Sequence, residues 1–333
     1  GHLVQDRNQS CFKDLVLTYM SIFAFYLLVD YWAKIGIVKP GGTACCEGDS
    51  VGLSAHGSMF VYRNPTTEDR RKISENNEVD WSEFPIPPDK GGLSLIEEHV
   101  SAYCDDAKQD QFHTKSVMEA TVKAFVTARP WLGKEHTGYM QSDNATNYRD
   151  PTIEVDCGVL GTRCYSVAGM GKDEGDGNGA VVKGQLAGTP VQCSADLLAS
   201  SSKLRIPAQT FATLHVQRKY DNQVTGRDSF PRHVHIFIVN KKSLTYWEYL
   251  DPGASELSIK IDGRAVGYGT GVTESMEVFT ERRRSQELTE TGATLTNSSG
   301  SSVNFSFPKG RPNRNEKAAA AVSMVERKEQ KIR

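Results

Sequence analysis

Three aspartates stand where regular elements are predicted to begin or end. Asp30 closes the apolar run Phe23 to Val29, Asp143 follows the short strand Gly138 to Ser142, and Asp176 lies where a helix should start. Carboxylates at the carboxyl ends of neighbouring strands converge at one edge of a sheet, however far apart they lie along the chain. Such hard oxygen ligands suit Mg2+ or Mn2+, which take one or two carboxylates each and keep several waters. Two such ions, about 4 Å apart, activate a water or a 3′-hydroxyl and steady the leaving oxygen in phosphodiester displacement. Aspartate also caps helices and closes turns, so a purely structural role stays open for each residue. The third position is open too, because Asp173 and Glu174 share the cluster GKDEGD with Asp176, and Gly177 makes a poor helix start.

The elements that must carry these acids follow from hydrophobic pattern. Phe23 to Val29 (FAFYLLV) is continuously apolar, as in a strand buried on both faces, and it stops at Asp30. Val51 to Arg63 and Leu93 to Cys104 read as two more strands. Between them, residues 64–92 are polar and proline-bearing and read as a loop insertion. Met118, Val122, Phe125 and Val126 fall at i, i+4, i+7 and i+8, which predicts an amphipathic helix stopped at Pro130. Arg163 to Val167 is a further strand, and the glycine-broken AGMGKDEGDGNGAVVKGQL should turn helical near Asp176. Strands and helices in this order predict a mixed α/β sheet flanked by helices. Past Gly188, His233 to Val239 and Leu244 to Leu250 flank Asn240-Lys241-Lys242, a hairpin pattern. Leu288 to Ser302 is rich in Ser, Thr and Gly and reads as flexible.

Three motifs carry a resemblance. VDYWAK (Val29 to Lys34), QSDNATNY (Gln141 to Tyr148) and GMGKDEGDGNGA (Gly169 to Ala180) resemble, in order and at about the same distances, segments of eukaryotic transposase-like proteins. Those proteins are similar to DDE/DDD transposases with a ribonuclease H-like core. CDDAKQDQFHT (Cys104 to Thr114) resembles the family's approach to its central helix, and IDGRAVGYGTG (Ile261 to Gly271) a C-terminal segment. The resemblance implies a ribonuclease H-like catalytic core over residues 1–190, an extension over 191–287, and a linker with a basic tail over 288–333. It further implies that Asp30, Asp143 and Asp176 hold two Mg2+ or Mn2+ ions for DNA strand cleavage and transfer. Double-stranded DNA, a second copy of the chain and a nuclear location are implied with it. A domesticated, catalytically inactive descendant, serving as a DNA-binding or scaffold protein, is the rival expectation. Asn144 and Tyr148 either orient Asp143 and touch substrate or serve as structural hydrogen-bonding groups.

Composition bounds these readings. The 333 residues, 38% hydrophobic and 24% charged, describe an ordinary globular chain and exclude wholesale disorder or a collagen-like repeat. A net charge of −2 argues against nucleic-acid-binding positive charge spread over the whole surface. From residue 308 onward, however, eight Lys/Arg face three Glu, so the tail is +5 and residues 1–307 are −7. Within that tail Lys309-Gly310-Arg311-Pro312 is similar to the core of an AT-hook, in which Arg is drawn to a narrow minor groove. Lys309, Arg311 and Arg314, with Lys172 in the glycine-rich segment, are the candidate DNA contacts. Seven cysteines without a CxxC pair indicate neither a zinc module nor a disulfide framework. His233 and His235 share a strand face but have no third ligand at suitable spacing. Ser166 and Asp173 stand where a Walker A loop needs Gly and Ser/Thr, so that reading fails. Leu15 to Val29, the longest uncharged run at 15 residues, is shorter than the roughly 20 a spanning helix needs, so it is read as a buried element and no membrane is expected.

Overall fold

Phe25, Tyr26, Leu27, Leu28 and Val29 are each 2% exposed or less, because the strand they build, β1 (Ala24–Gly36), has neighbours on both edges and packing on both faces. The computed structural model describes residues 20–36, 52–77, 95–133, 137–149, 160–166 and 174–216, parts of 13–18, and short strand segments between 236 and 296. β2 (Gly52–Arg63) runs antiparallel to β1, and β3 (Leu95–Cys104) antiparallel to β2. Helix α2 (Gln111–Thr127) then leads to β4 (Thr137–Ser142), which pairs in parallel with the other edge of β1. β5 (Leu160–Tyr165) is parallel to β4, and β6 (Gln209–Val216) is parallel to β3. The central six strands thus lie in the order β5-β4-β1-β2-β3-β6. This is the expected mixed α/β sheet flanked by helices.

Alternation sorts the two faces. Phe25, Leu27 and Val29 join Phe60, Tyr62, Met140 and the buried stripe Val117, Met118, Val122 and Phe125 of α2. On the other face Ala24, Tyr26 and Leu28 pack with Met59, Val61 and Tyr139 and with Val16, Leu17 and Met20 near the start of the chain. Further along that face Leu53, Ala55 and Tyr103 meet Leu197 and Leu198 of α4 (Ser194–Ser201), with Trp32 and Leu186 against them. Helix α3 (Glu174–Gln185) packs over β1 there, its Gly179 against Trp32.

Three expectations change. β1 does not stop at Asp30 but runs to Gly36, because its β2 partners continue through Ala55, Ser54 and Leu53 to Gly52. The supposed loop at 64–92 contains a helix, α1 (Thr67–Asn77). Its start is a capping box: Asp69 N–H donates to Thr66 Oγ1 (3.1 Å), while Asp69 Oδ2 accepts from Thr66 N–H (3.0 Å). Ile73, 2% exposed, ties α1 to the core. Residues 191–287 and part of the supposed flexible linker add strands to the same sheet. β6 flanks β3, and β12 (Ala293–Thr296) pairs with β6. On the opposite flank β7 (Ile236–Val239) and β8 (Ser243–Trp247) form the expected hairpin, and β11 (Val272–Ser275) extends it. β9 (Lys260–Ile261) and β10 (Arg264–Ala265) pair separately. Among the described residues no helix is long and apolar enough to cross a membrane.

Candidate functional site

The parallel ladder between β1 and β4 ends on the pair Val29–Ser142. The next residue on each strand is an acid, Asp30 on β1 and Asp143 beyond β4. In-register neighbours on parallel strands share a face, so Asp30 and Asp143 leave the ladder side by side. Asp30 goes on to pair with Gly57 of β2, so it is mid-strand on the hairpin side and terminal on the β4 side. Asp30 alternates with Leu28 and Tyr26, which puts it on the face that α3 covers. Asp176 lies in the first turn of α3, three residues before Gly179, so both share the helix face turned toward β1.

Two of these acids interact electrostatically, and Asp30 and Asp143 both act on Tyr148. The Asp143 carboxyl is held above the usual carboxylate range, first by burial and further by the negative charge of Asp176. The Ala145 amide and the Arg163 guanidinium pull it the other way. Ala145 N–H donates to Asp143 Oδ1 (3.1 Å), an Asx turn that holds the carboxylate where β4 ends. The Tyr148 phenol, fully buried, is pushed well above its ordinary range by burial and then by the charges of Tyr31, Asp30 and Asp143. Asp30 and Asp143 therefore act on one phenol, and Asp176 acts on Asp143.

An aromatic floor lies under this edge. Tyr31 Oη is 2.5 Å from His113 Nδ1 and 3.2 Å from Thr114 Oγ1, both on α2. The Tyr31 ring meets His56 edge-on at 4.8 Å and tilts against Tyr148 at 5.7 Å. His56, 1% exposed, is pushed down to about 3 by burial, with His113 and Arg163 adding to it, so the ring is neutral. Tyr148 is anchored by its carbonyl, which accepts from Tyr165 Oη (3.1 Å), and Gln111 Nε2 donates to the Thr146 carbonyl (3.1 Å). Asn144 Oδ1 accepts from Arg149. Arg163 Nη2 donates to Ser142 Oγ (3.1 Å), just before the acid. Pattern reading missed this floor, because its members are scattered over two strands, a helix and a turn. The Asp110 N-cap, which accepts from His113 N–H at 2.9 Å, was the local signal that α2 begins well before Met118.

For a divalent cation the donor chemistry fits. The Asp143 carboxyl, raised by burial and by the like charge of Asp176, sits in surroundings that a cation would relieve. Among the described residues no three His, Cys, Asp or Glu side chains already stand as a cation cage. Lys172, Asp173, His233, His235, Lys309, Arg311 and Arg314 lie outside the described residues, as does the side chain of Glu174. Cys104, Cys164 and Cys193 are free thiols. No protein-family model and no curated protein matches the chain.

Proposed function

We propose that the sheet is a ribonuclease H-like core and that the chain acts in divalent-metal-dependent DNA strand cleavage and transfer. The strand order supports the fold reading. β3-β2-β1-β4-β5 is an antiparallel meander followed, after α2, by two strands parallel to β1, as a ribonuclease H-like sheet has it. One observation carries the chemistry: Asp30 and Asp143 both leave the ladder directly after Val29–Ser142, on the face covered by the helix of Asp176.

In this reading Asp30, Asp143 and Asp176 hold two Mg2+ or Mn2+ ions. Bound there, the ions would supply an activated oxygen nucleophile and stabilise the leaving oxygen. The chain's own task is to hold three carboxylates ionised on one face. The Asx turn fixes Asp143, the β1–β2 pairing fixes Asp30, and the seat of α3 fixes Asp176. Double-stranded DNA is the substrate. Lys172 and the basic tail (Lys309, Arg311 and Arg314) contact its phosphates and minor groove, which gives binding a salt dependence. A second copy of the chain and a nuclear location belong to the same reading.

The test is nicking of supercoiled DNA in Mn2+ by the parent, Asp30→Asn and Asp143→Asn, with thermal melting of each. Loss of nicking in both variants, with cooperative melting kept, is the expected result. Variants that nick as fast as the parent overturn the assignment. The rival, a non-catalytic DNA-binding scaffold, draws on the absence of a ready-made cation cage among the described residues. It predicts DNA retention without nicking and no saturable Mn2+ binding by the parent.

A further inference from the structure

Trp32 sits between two glycines. A Cβ built on Gly57 would lie 3.0 Å from Trp32 Cδ1, and one built on Gly179 would lie 2.5 Å from Trp32 Cβ and 2.7 Å from its Cγ. The first glycine belongs to the strand beneath the indole and pairs with Asp30; the second belongs to α3 above it. The indole is placed by a break in the β1–β2 register. Tyr31 pairs with His56 and Ala33 with Ala55, which leaves Trp32 as the extra residue. It is held edge-on by Tyr103 at 6.2 Å, and Tyr103 is tied to α4 by a hydrogen bond to Ser201 Oγ (2.7 Å). Trp32 Nε1 is buried without a hydrogen-bond partner, so packing alone fixes the ring.

Two other glycines of α3 behave differently. Around Gly177 and Gly184 a Cβ would meet nothing within 4 Å. Of these three, Gly179 is the one where the absence of a side chain sets how closely helix and strand approach. The atoms in the way are the root of Trp32 rather than its movable end, so an added methyl must lift the helix. Asp176, one turn before Gly179 on the same face, would rise with it.

We infer that the Trp32–Gly179 contact is the positioning device for the third acid: it sets the depth at which Asp176 stands over Asp30 and Asp143. This rests on the reading of the three acids as a cation site. Trp32 touches none of the reacting atoms and acts through Asp176 alone.

Calorimetric titration of the full chain with Mn2+ tests this. Gly179→Ala should weaken Mn2+ binding at least tenfold, to the level of Asp176→Asn, and the double variant should lose no more than either. Gly177→Ala should bind as the parent does. Trp32→Phe, which keeps Cβ and Cγ, should keep parental affinity, whereas Trp32→Ala should fall to the Asp176→Asn level. The Trp32 pair decides the matter even where Gly179→Ala does not fold. Parental affinity in Gly179→Ala, or losses that add in the double variant, overturn the positioning role. If Asp30→Asn and Asp143→Asn abolish Mn2+ binding while Gly179→Ala and Trp32→Ala do not, this inference alone fails. If the parent binds no Mn2+, both it and the cation-site reading fail.

Discussion

Asp143 is half-buried at the end of β4 within the field of Asp176, and desolvation first, then that second charge, holds its carboxyl above the usual range. A carboxyl raised in this way binds its proton more tightly in the folded chain than in the unfolded one. Between the unfolded value, about 3.9, and the higher folded value, stability therefore falls as pH rises, and above both the full penalty stands. Asp143→Asn keeps the acceptor for the Ala145 amide and removes the charge. In metal-free buffer at pH 7 the variant should melt higher than the parent, and at pH 3 the gap should close. Calorimetric melting at both values checks this, and a variant that melts lower at pH 7 contradicts it. Such a gain would mark Asp143 as a residue kept at a cost in stability.

His56 gives the opposite slope. Its folded value of about 3 lies below the ordinary 6.5, because the ring is buried among Tyr31, Tyr148, His113 and Arg163. The unfolded chain takes up this proton first as pH falls through 6.5, so stability drops from there toward pH 3. The loss is about 1.4 kcal/mol per pH unit inside that window. His56→Leu removes the titration. Urea unfolding at pH 7 and pH 5 should show the parent losing about 2 kcal/mol more than the variant. Equal losses would mean that His56 is not the acid-labile group.

How much of this was readable beforehand depended on where each signal came from. FAFYLLV announced β1, because burial on both faces leaves no polar position to confuse the pattern. The end of β1 was hidden, since Asp30 ends one ladder and continues another, and sequence does not say which edge of a strand keeps its partner. Asp143 after β4 and Asp176 in the first turn of α3 are legible as acids at element ends. The break that seats Trp32 was not, because the step from Tyr31 to Ala33 departs from regular pairing with no glycine or proline to mark it. Nor was the need for glycine at 179 rather than 177, which depends on a strand about 150 residues away.

Helix α1 has no hydrophobic stripe to announce it, being polar almost throughout, with Ile73 as its buried anchor. Its specification is local: the Thr66–Asp69 capping box, and Arg71 bridging Glu68 (2.8 Å) and Glu75 (2.6 Å) on an exposed face. Exposed pairs contribute little, so the cap should dominate. Thr66→Ala should cost about 1 kcal/mol, and Arg71→Ala less than half of that. Hydrogen exchange over residues 67–77 should quicken in the first variant and hardly change in the second. The reverse order would show that the charge ladder, not the cap, starts this helix.

On the face opposite the acids, Arg129 and Glu98 form an ion pair closed off from solvent. Glu98 also accepts from Tyr62 Oη (2.6 Å), and the Arg129 guanidinium lies over the rings of Phe125 (4.2 Å) and Tyr62 (4.9 Å). Burial raises the Glu98 carboxyl, and Arg129 and Tyr62 work against that rise. Arg129→Met fills the space over Phe125 but leaves a buried carboxylate with one phenol donor. That should cost about 3–5 kcal/mol at pH 7. Without the guanidinium Glu98 titrates still higher, so the deficit should shrink as pH falls and Glu98 takes up its proton. Adding Glu98→Gln removes the charge and keeps the acceptor for Tyr62, so the double variant should recover most of the loss. Urea unfolding at pH 7 and pH 5 on the single and double variants measures both effects. A deficit that ignores pH and survives Glu98→Gln would assign the role of Arg129 to its packing over Phe125 and Tyr62 rather than to its charge.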